Sequence, residues 1–151
     1  MQSPEADFHD LDRFVGAQER TLERALTELR TGRKVGHWMW FVFPQLAGLG
    51  TSETARRYAI RSLEEARAYM SHPALGAGYR QAVSTLQDLD PTTAEALLGR
   101  VDAAKLRSSL TLFIEATDGD LLLVAALQRW FGERDPMTLA LLAPATDPAA
   151  P

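Results

Sequence analysis

The segment at residues 32–50 reads GRKVGHWMWFVFPQLAGLG, and we call it the aromatic segment. An imidazole beside aromatic side chains can titrate near neutral pH and act as a general acid or base, which makes His37 the candidate catalytic residue. The alternative for His37 is a hydrogen-bonded structural role, which is the commoner one beside apolar residues. Lys34 and Gln45 are the polar side chains of this segment that we expect to bind a ligand.

Two tryptophans, Trp38 and Trp40, stand in the middle of the aromatic segment. Tryptophan is unusual in a loop unless it is packed, and a buried indole N–H requires an acceptor. With Phe41 and Phe43, these residues either form a plug in the hydrophobic core or line a binding pocket. On a short helix Trp38 and Trp40 point about 200° apart, so one can face the core and the other a cleft.

Arg56 belongs to a second polar group, which follows Gly48 and Gly50 at the predicted start of a helix. A glycine loop that enters a helix can bind an anion through unpaired amides, and arginine can add bidentate contacts to phosphate. An ordinary solvated helix face explains Arg56 and Arg57 equally well. The pattern lacks the Walker signature and follows no Rossmann strand, so we expect no nucleotide cofactor of those classes and predict no cofactor at all.

Lys105, Ser108 and Ser109 form a third polar group on a predicted helix, where the i, i+3 and i+4 spacing places them close together. The two serines either bond back to helix carbonyls or line a pocket opposite the aromatic segment. A hydrolase triad of Ser108, His37 and Asp102 is disfavoured, because no GxSxG elbow is present to expose the serine.

The three polar groups are far apart in sequence, and each interrupts an apolar pattern. Buried polar groups are costly unless they are satisfied, so a shared cluster is the favoured arrangement. A cationic cluster in an acidic protein favours a small anionic ligand. We therefore predict one pocket, with Trp38 or Trp40 as its wall, onto which these side chains converge: Lys34, His37, Gln45, Arg56, Lys105 and Ser109.

Composition excludes several classes of protein. The chain has 151 residues, a net charge of −4 and a pI near 5.4, which argues against general nucleic-acid binding. The sequence contains no cysteine, and three scattered histidines do not predict a metal site. The first ten residues are polar and acidic, without the pattern of a secretory signal, and no apolar run is long enough to span a membrane. We expect a cytoplasmic protein; the sequence does not predict its oligomeric state.

Helical patterns position these polar groups. Apolar residues recur at helical spacing from Leu11 to Leu29, and Gly32 is expected to end that helix. Further boundaries are predicted from capping boxes and breakers at Ser62/Glu65, His72-Pro73, Thr92/Glu95, Gly99, Asp102, Gly132 and Asp135-Pro136. The best strand candidate is Met39–Phe43. The pattern predicts a compact all-α bundle of about seven to nine helices, several of them short, as one domain over residues 8–142 with tails at 1–7 and 143–151.

Four strings carry a resemblance to a known family: RFVGAQ at 13–18, the aromatic segment, TARRYAI at 54–60 and KLRSSLTLF at 105–113. They resemble DUF1810, a bacterial domain family of unknown function whose members are sometimes mislabelled calpastatin. The resemblance covers residues 8–142 and implies a compact all-helical domain, without an established reaction. The Gly-Ala-Gly sequence at 76–78 departs from the more polar sequence that the resemblance implies. This departure puts only the stability of the local helix in doubt.

A looser similarity, in the order and rough spacing of these groups, exists to the NADAR (YbiA-like) domains, which are N-glycosidases that act on ribosyl-phosphate compounds. No motif matches residue by residue. The similarity implies an aromatic ring stacked on a base, Arg or Lys on phosphate, and a polar group that activates water. We therefore expect binding, or N-glycosidase-like hydrolysis, of a small phosphorylated ribosyl or nucleotide-like ligand. The alternative is a non-catalytic protein-interaction module that exposes the aromatic segment.

Overall fold

A computed structural model of the protein describes residues 7–144, and these residues form nine α-helices and no sheet. The all-α prediction, with seven to nine helices, is confirmed. Of the residues predicted as tails, 1–7 and 143–151, those at 1–6 and 145–151 lie outside the described part. The helices are α1 Asp12–Thr31, α2 Met39–Val42, α3 Glu53–Arg57, α4 Leu63–Ser71, α5 Pro73–Gln87, α6 Ala94–Leu98, α7 Arg100–Ala116, α8 Leu121–Trp130 and α9 Pro136–Leu142.

Local capping chemistry sets most helix boundaries where the sequence predicts them. Gly32 ends α1 in the left-handed conformation, with φ 85°, and its N–H bonds to the carbonyls of the last turn. His72 separates α4 from α5. Its Nδ1 accepts from the amides of Ala74 and Leu75 in the first turn of α5, which begins at Pro73. Asp135 caps α9 in the same way through the amide of Thr138.

Two predicted caps are wrong by a short distance. The cap of α6 is Thr93 rather than Thr92, because the Thr93 hydroxyl accepts from the amide of Ala96. The helix that Asp102 was expected to cap begins earlier, at Arg100, with Gly99 as its N-cap residue. Asp102 therefore lies in the first turn of α7, and its carboxylate is free to bond elsewhere.

The strand candidate Met39–Phe43 is also wrong. Residues Met39–Val42 form the one-turn helix α2, in which the amides of Phe41 and Val42 bond to the carbonyl of Trp38. A run this short has too few residues for its apolar pattern to separate strand from helix. The β-type pairing in the described residues is a single bridge between Leu46 and Ile60.

Aromatic side chains from five elements meet in the centre of the bundle. Tyr79 from α5 packs on Phe113 from α7 with ring centroids 4.6 Å apart, and Tyr69 from α4 lies 5.2 Å from Phe113. Phe14 from α1 and Phe43 from the aromatic segment contact Tyr69 and Tyr79 edge to face. These rings are fully buried, so the part of α7 that carries Phe113 lies in the core. The first turn of α7 lies at the surface.

Close helix packing explains why residues 76–78 contain two glycines where a more polar sequence is expected. A Cβ atom on Gly76 would lie 2.2 Å from the carbonyl oxygen of Met70, and one on Gly78 would lie 2.4 Å from Oε1 of Gln18. Both glycines therefore allow α5 to pack closely against α4 and α1. Helix α5 continues unbroken through them to Gln87.

Among residues 7–144, no helix combines the length and the apolar character that a membrane crossing requires.

Candidate functional site

A pocket of about 340 Å³ opens between the aromatic segment, the start of α3 and the first two turns of α7. We call it the lysine pocket. It brings together four residues of the predicted site from two of the three polar groups. The residues that line it are Lys34, His37, Met39, Trp40, Phe41, Ser52, Thr54, Asp102 and Lys105.

Asp102 organises the charge of the lysine pocket. Its Oδ2 lies 2.7 Å from Nζ of Lys34, and its Oδ1 lies 3.3 Å from Nζ of Lys105. One carboxylate thus faces two ammonium groups, which leaves an excess of one positive charge. Lys105 is the more accessible of the two, with 30% of its side chain exposed against 8% for Lys34. An anion that enters the pocket would therefore meet Lys105 first.

Lys34 is fixed in place by several contacts. Its Nζ donates to the carbonyl of Gly36 and lies 5.1 Å from the centroid of the Trp38 ring, a cation–π geometry. Its backbone amide donates to the carbonyl of Leu97 at 3.0 Å, which ties the start of the aromatic segment to α6. Lys34 therefore contributes a fixed charge at the back of the pocket.

Glu28 on α1 holds the loop that carries Lys34. Its Oε1 accepts from the amides of Val35 and Gly36 at 2.7 and 2.8 Å and from the indole N–H of Trp38 at 2.9 Å. Burial acts to raise the pKa of Glu28, but these hydrogen bonds, with one from Arg24, outweigh it and lower the pKa to about 2. Glu28 thus stays ionised and supplies the acceptor that the buried Trp38 needs.

The two tryptophans of the aromatic segment serve different parts of the molecule. Trp38 is 1% exposed and joins the main core, whereas Trp40 packs with Ala55 and Ala59 in a small separate cluster and lines the pocket. One ring thus faces the core and the other a pocket, but Trp38 is the N-cap residue of α2 and not part of the helix, so the helical angle between the two positions does not apply. Gly50 allows this position of Trp40, because a Cβ there would lie only 2.8 Å from Cζ2 of the Trp40 ring.

His37, the candidate catalytic residue, lines the lysine pocket from an exposed position. Its role stays a prediction. In the described residues, no three His, Cys, Asp or Glu side chains are grouped in a way that could hold a metal ion.

Four of the predicted ligand-binding residues lie outside the lysine pocket. Gln45 is 3% exposed and lines a neighbouring groove, while Trp38 lies behind Lys34 in the core. Arg56 is exposed and lines a different pocket, together with three other arginines of α1, α3 and the chain that follows. Ser109 is fully buried, and its Oγ lies 3.0 Å from the hydroxyl of Tyr79. Convergence of all the proposed residues is therefore not observed.

The serine pair follows neither of its two interpretations completely. Ser108 does bond back to the carbonyl of Ala104 at 3.1 Å, but it also lies 3.0 Å from Oδ2 of Asp135, the cap of α9. Ser109 turns toward Tyr79, whose pKa burial raises although the bond to Ser109 acts to lower it. Both serines therefore join helices together inside the fold.

Sequence reasoning missed Asp102 as a site residue and overlooked Glu28. The i, i+3 spacing of Asp102 and Lys105 on one helix predicts an ion pair. Lys34, which completes the triplet, is 68 positions away from Asp102 in sequence, and no local pattern joins them. Glu28 gives no sign at all, because it is one of several charged residues along α1.

The fold and pocket together define a class: an all-α domain with a tryptophan-walled, lysine-containing pocket. The chain belongs to the DUF1810 family, described as a protein of unknown function, whose model matches residues 8–142. It is similar to the crystal structure of the conserved hypothetical protein Rv1873 from Mycobacterium tuberculosis. The two share 47% identity with a TM-score of 0.87, over 90% of this chain and 98% of that chain. No curated protein matches the chain. Neither match is to a NADAR domain, so that similarity stays a prediction.

Proposed function

We propose that this protein binds a small anionic ligand, of the phosphorylated ribosyl or nucleotide-like class, in the lysine pocket. The observation that carries the proposal is the sharing of one carboxylate, Asp102, by the ammonium groups of Lys34 and Lys105. The remaining positive charge lies in a concave site beside an aromatic ring, where contact with bulk water is reduced and attraction to phosphate is stronger than on an open surface.

Binding, rather than hydrolysis, is the proposal. Hydrolysis would need a residue that acts as a base toward water. His37 is exposed to solvent, and the carboxylate of Asp102 is already paired with Lys34 and Lys105, so we assign neither residue that role. The interaction-module alternative required an exposed aromatic segment. Trp38, Trp40 and Phe43 are all buried, which favours a ligand pocket over this alternative.

Thermal unfolding with ribose 5-phosphate as the probe tests the proposal. A ligand at about 100 times its Kd stabilises a protein by about 2.7 kcal/mol, which raises the Tm by about 5–10 °C for a chain of this size. We expect such a shift in the wild type and its loss in Lys105→Met, because the most accessible cation of the pocket is removed.

Arg56→Met is the matched control, because it removes the same charge from an exposed position outside the lysine pocket. It should keep the full shift. A wild type that gains no stability at any probe concentration up to tens of millimolar would refute the proposal, as would an equal loss of the shift in both variants.

A further inference from the structure

An open, mainly apolar groove of about 440 Å³ adjoins the lysine pocket. Trp40 and Lys105 line both spaces, so a ligand held in one can extend into the other. Leu49, Val101 and Met137 supply apolar wall, and we call this space the apolar groove. Val101 and Met137 are 68% and 59% exposed, which leaves apolar surface uncovered next to a cationic site.

Gln45 is the unusual residue of the apolar groove. It is 3% exposed, and its Nε2 is a buried side-chain donor with no hydrogen-bond partner among the described residues. Its backbone is held in place, because its carbonyl accepts from the amide of Ile60 at 2.8 Å. A buried amide without a partner is costly, and proteins normally satisfy such groups. A buried amide nitrogen without a partner, on a residue that lines the groove, is what a ligand acceptor that reached it would complete.

Arg100 and Lys105 are charged residues that also line the apolar groove. Two of its uncharged or acidic lining residues, Ser108 and Asp135, are already engaged within the protein. Ser108 bonds to Ala104 and to Asp135, and Asp135 in turn caps α9 through Thr138. Gln45 therefore differs from them, since its Nε2 has no hydrogen-bond partner among the described residues.

We infer that the apolar groove is a second subsite, which takes a planar heteroaromatic base covalently linked to the anion in the lysine pocket. The base would lie against Trp40 and the apolar wall, and a ring acceptor would complete the hydrogen bonding of Gln45. The inference rests on the proposed function and narrows it from phosphorylated sugars to nucleoside monophosphates. Contact between the base and Trp40, with one additional hydrogen bond to Gln45, gives a nucleoside monophosphate a higher affinity than a phosphorylated sugar.

The test compares the affinities of AMP and ribose 5-phosphate by isothermal titration calorimetry. The two probes share the phosphate and the ribose and differ in the base. We expect AMP to bind the wild type at least about tenfold more tightly than ribose 5-phosphate. Gln45→Leu and Ala104→Phe should each remove most of this difference and leave the affinity for ribose 5-phosphate unchanged. The first variant removes the amide, and the second fills the groove from the exposed face of α7.

Gln128→Leu, at an exposed position of α8, is the matched control and should retain the preference for AMP. Circular dichroism checks that each variant keeps its helix content. Equal affinities of the wild type for the two probes would overturn the second subsite and leave the proposed function standing. A tenfold preference that survives both groove variants would also overturn it. Binding of neither probe would overturn the proposed function, and this inference with it.

Discussion

Glu28 shows how one residue of a helix can control a distant part of the pocket. Its carboxylate accepts hydrogen bonds from two loop amides and from the indole N–H of Trp38. The same loop carries Lys34 and His37, which line the lysine pocket. Hydrogen bonds to an ionised acceptor are about twice as strong as neutral ones. The position of Lys34 therefore depends on a charge that does not itself line the pocket.

Because its folded pKa of about 2 is below the ordinary value of 4.5, ionised Glu28 stabilises the fold above pH 4.5. That contribution is lost progressively as the pH falls from 4.5 toward 2. We expect Glu28→Gln to lower the free energy of unfolding near pH 7 by about 1–2 kcal/mol, which allows for partial screening by water.

Urea unfolding of wild type and Glu28→Gln from pH 7 to pH 2.5 measures this effect. Other carboxyl groups titrate in both proteins, so their contributions cancel in the difference between the two. The difference should shrink below pH 4.5. A constant difference across the range would show that Glu28 acts through shape and not through its charge.

At the scale of elements, the packing of α5 depends on glycine. Gly76 lies where a Cβ would meet a backbone carbonyl at 2.2 Å, and backbone cannot move aside as a flexible side chain can. Gly16 in α1 is different, since its nearest neighbour would be the guanidinium end of Arg20 at 3.1 Å. Both glycines are inside helices, so they form a matched pair for testing close packing.

We expect Gly76→Ala to destabilise the fold by about 1–3 kcal/mol through overpacking. Gly16→Ala should be neutral or stabilising by up to about 1 kcal/mol, because alanine favours the helix and the Arg20 side chain can shift. Chemical denaturation of both variants measures the two effects. Similar effects of the two substitutions would contradict close packing of α5 against α4.

At the scale of the whole molecule, Arg13 joins the start of α1 to the middle of the chain. Its guanidinium donates to the carbonyls of Arg57 and Ala59 at 3.0 and 2.9 Å and pairs with Glu65 at 2.7 Å. The side chains of Arg13 and Glu65 are 7% and 1% exposed. A buried pair of this kind is costly to break on one side, because the remaining charge has no replacement partner of equal quality.

Arg13→Met and Glu65→Met should each lower the free energy of unfolding by about 3–5 kcal/mol. The double variant should lose less than the sum of the two, by about 0.5–3 kcal/mol, because no buried charge is left alone. Urea unfolding of all four proteins gives the coupling energy. Strict additivity would mean that the pair contributes little through its mutual contact.

The sequence alone determined the helices and their approximate ends, because these depend on residues a few positions apart. The 3.6-residue spacing of apolar side chains, Gly32, His72-Pro73 and Asp135 act within one or two turns, and the structure follows them. The family was likewise evident from contiguous strings such as the aromatic segment. Met39–Phe43 was the best strand candidate because a single helical turn is too short for its period to be recognised.

Only the tertiary structure decided which residues meet at the candidate site. The sequence suggested Lys34, His37, Trp40 and Lys105, and the fold places them around one pocket. Their partners follow from how separate helices pack, and no local spacing encodes that packing. The same packing directs Ser109 inward, where it bonds to Tyr79. It also places Asp102 between Lys34 and Lys105, so that Asp102 pairs with them and does not cap a helix. In both cases a polar group bonds to the partner that a neighbouring part of the fold presents.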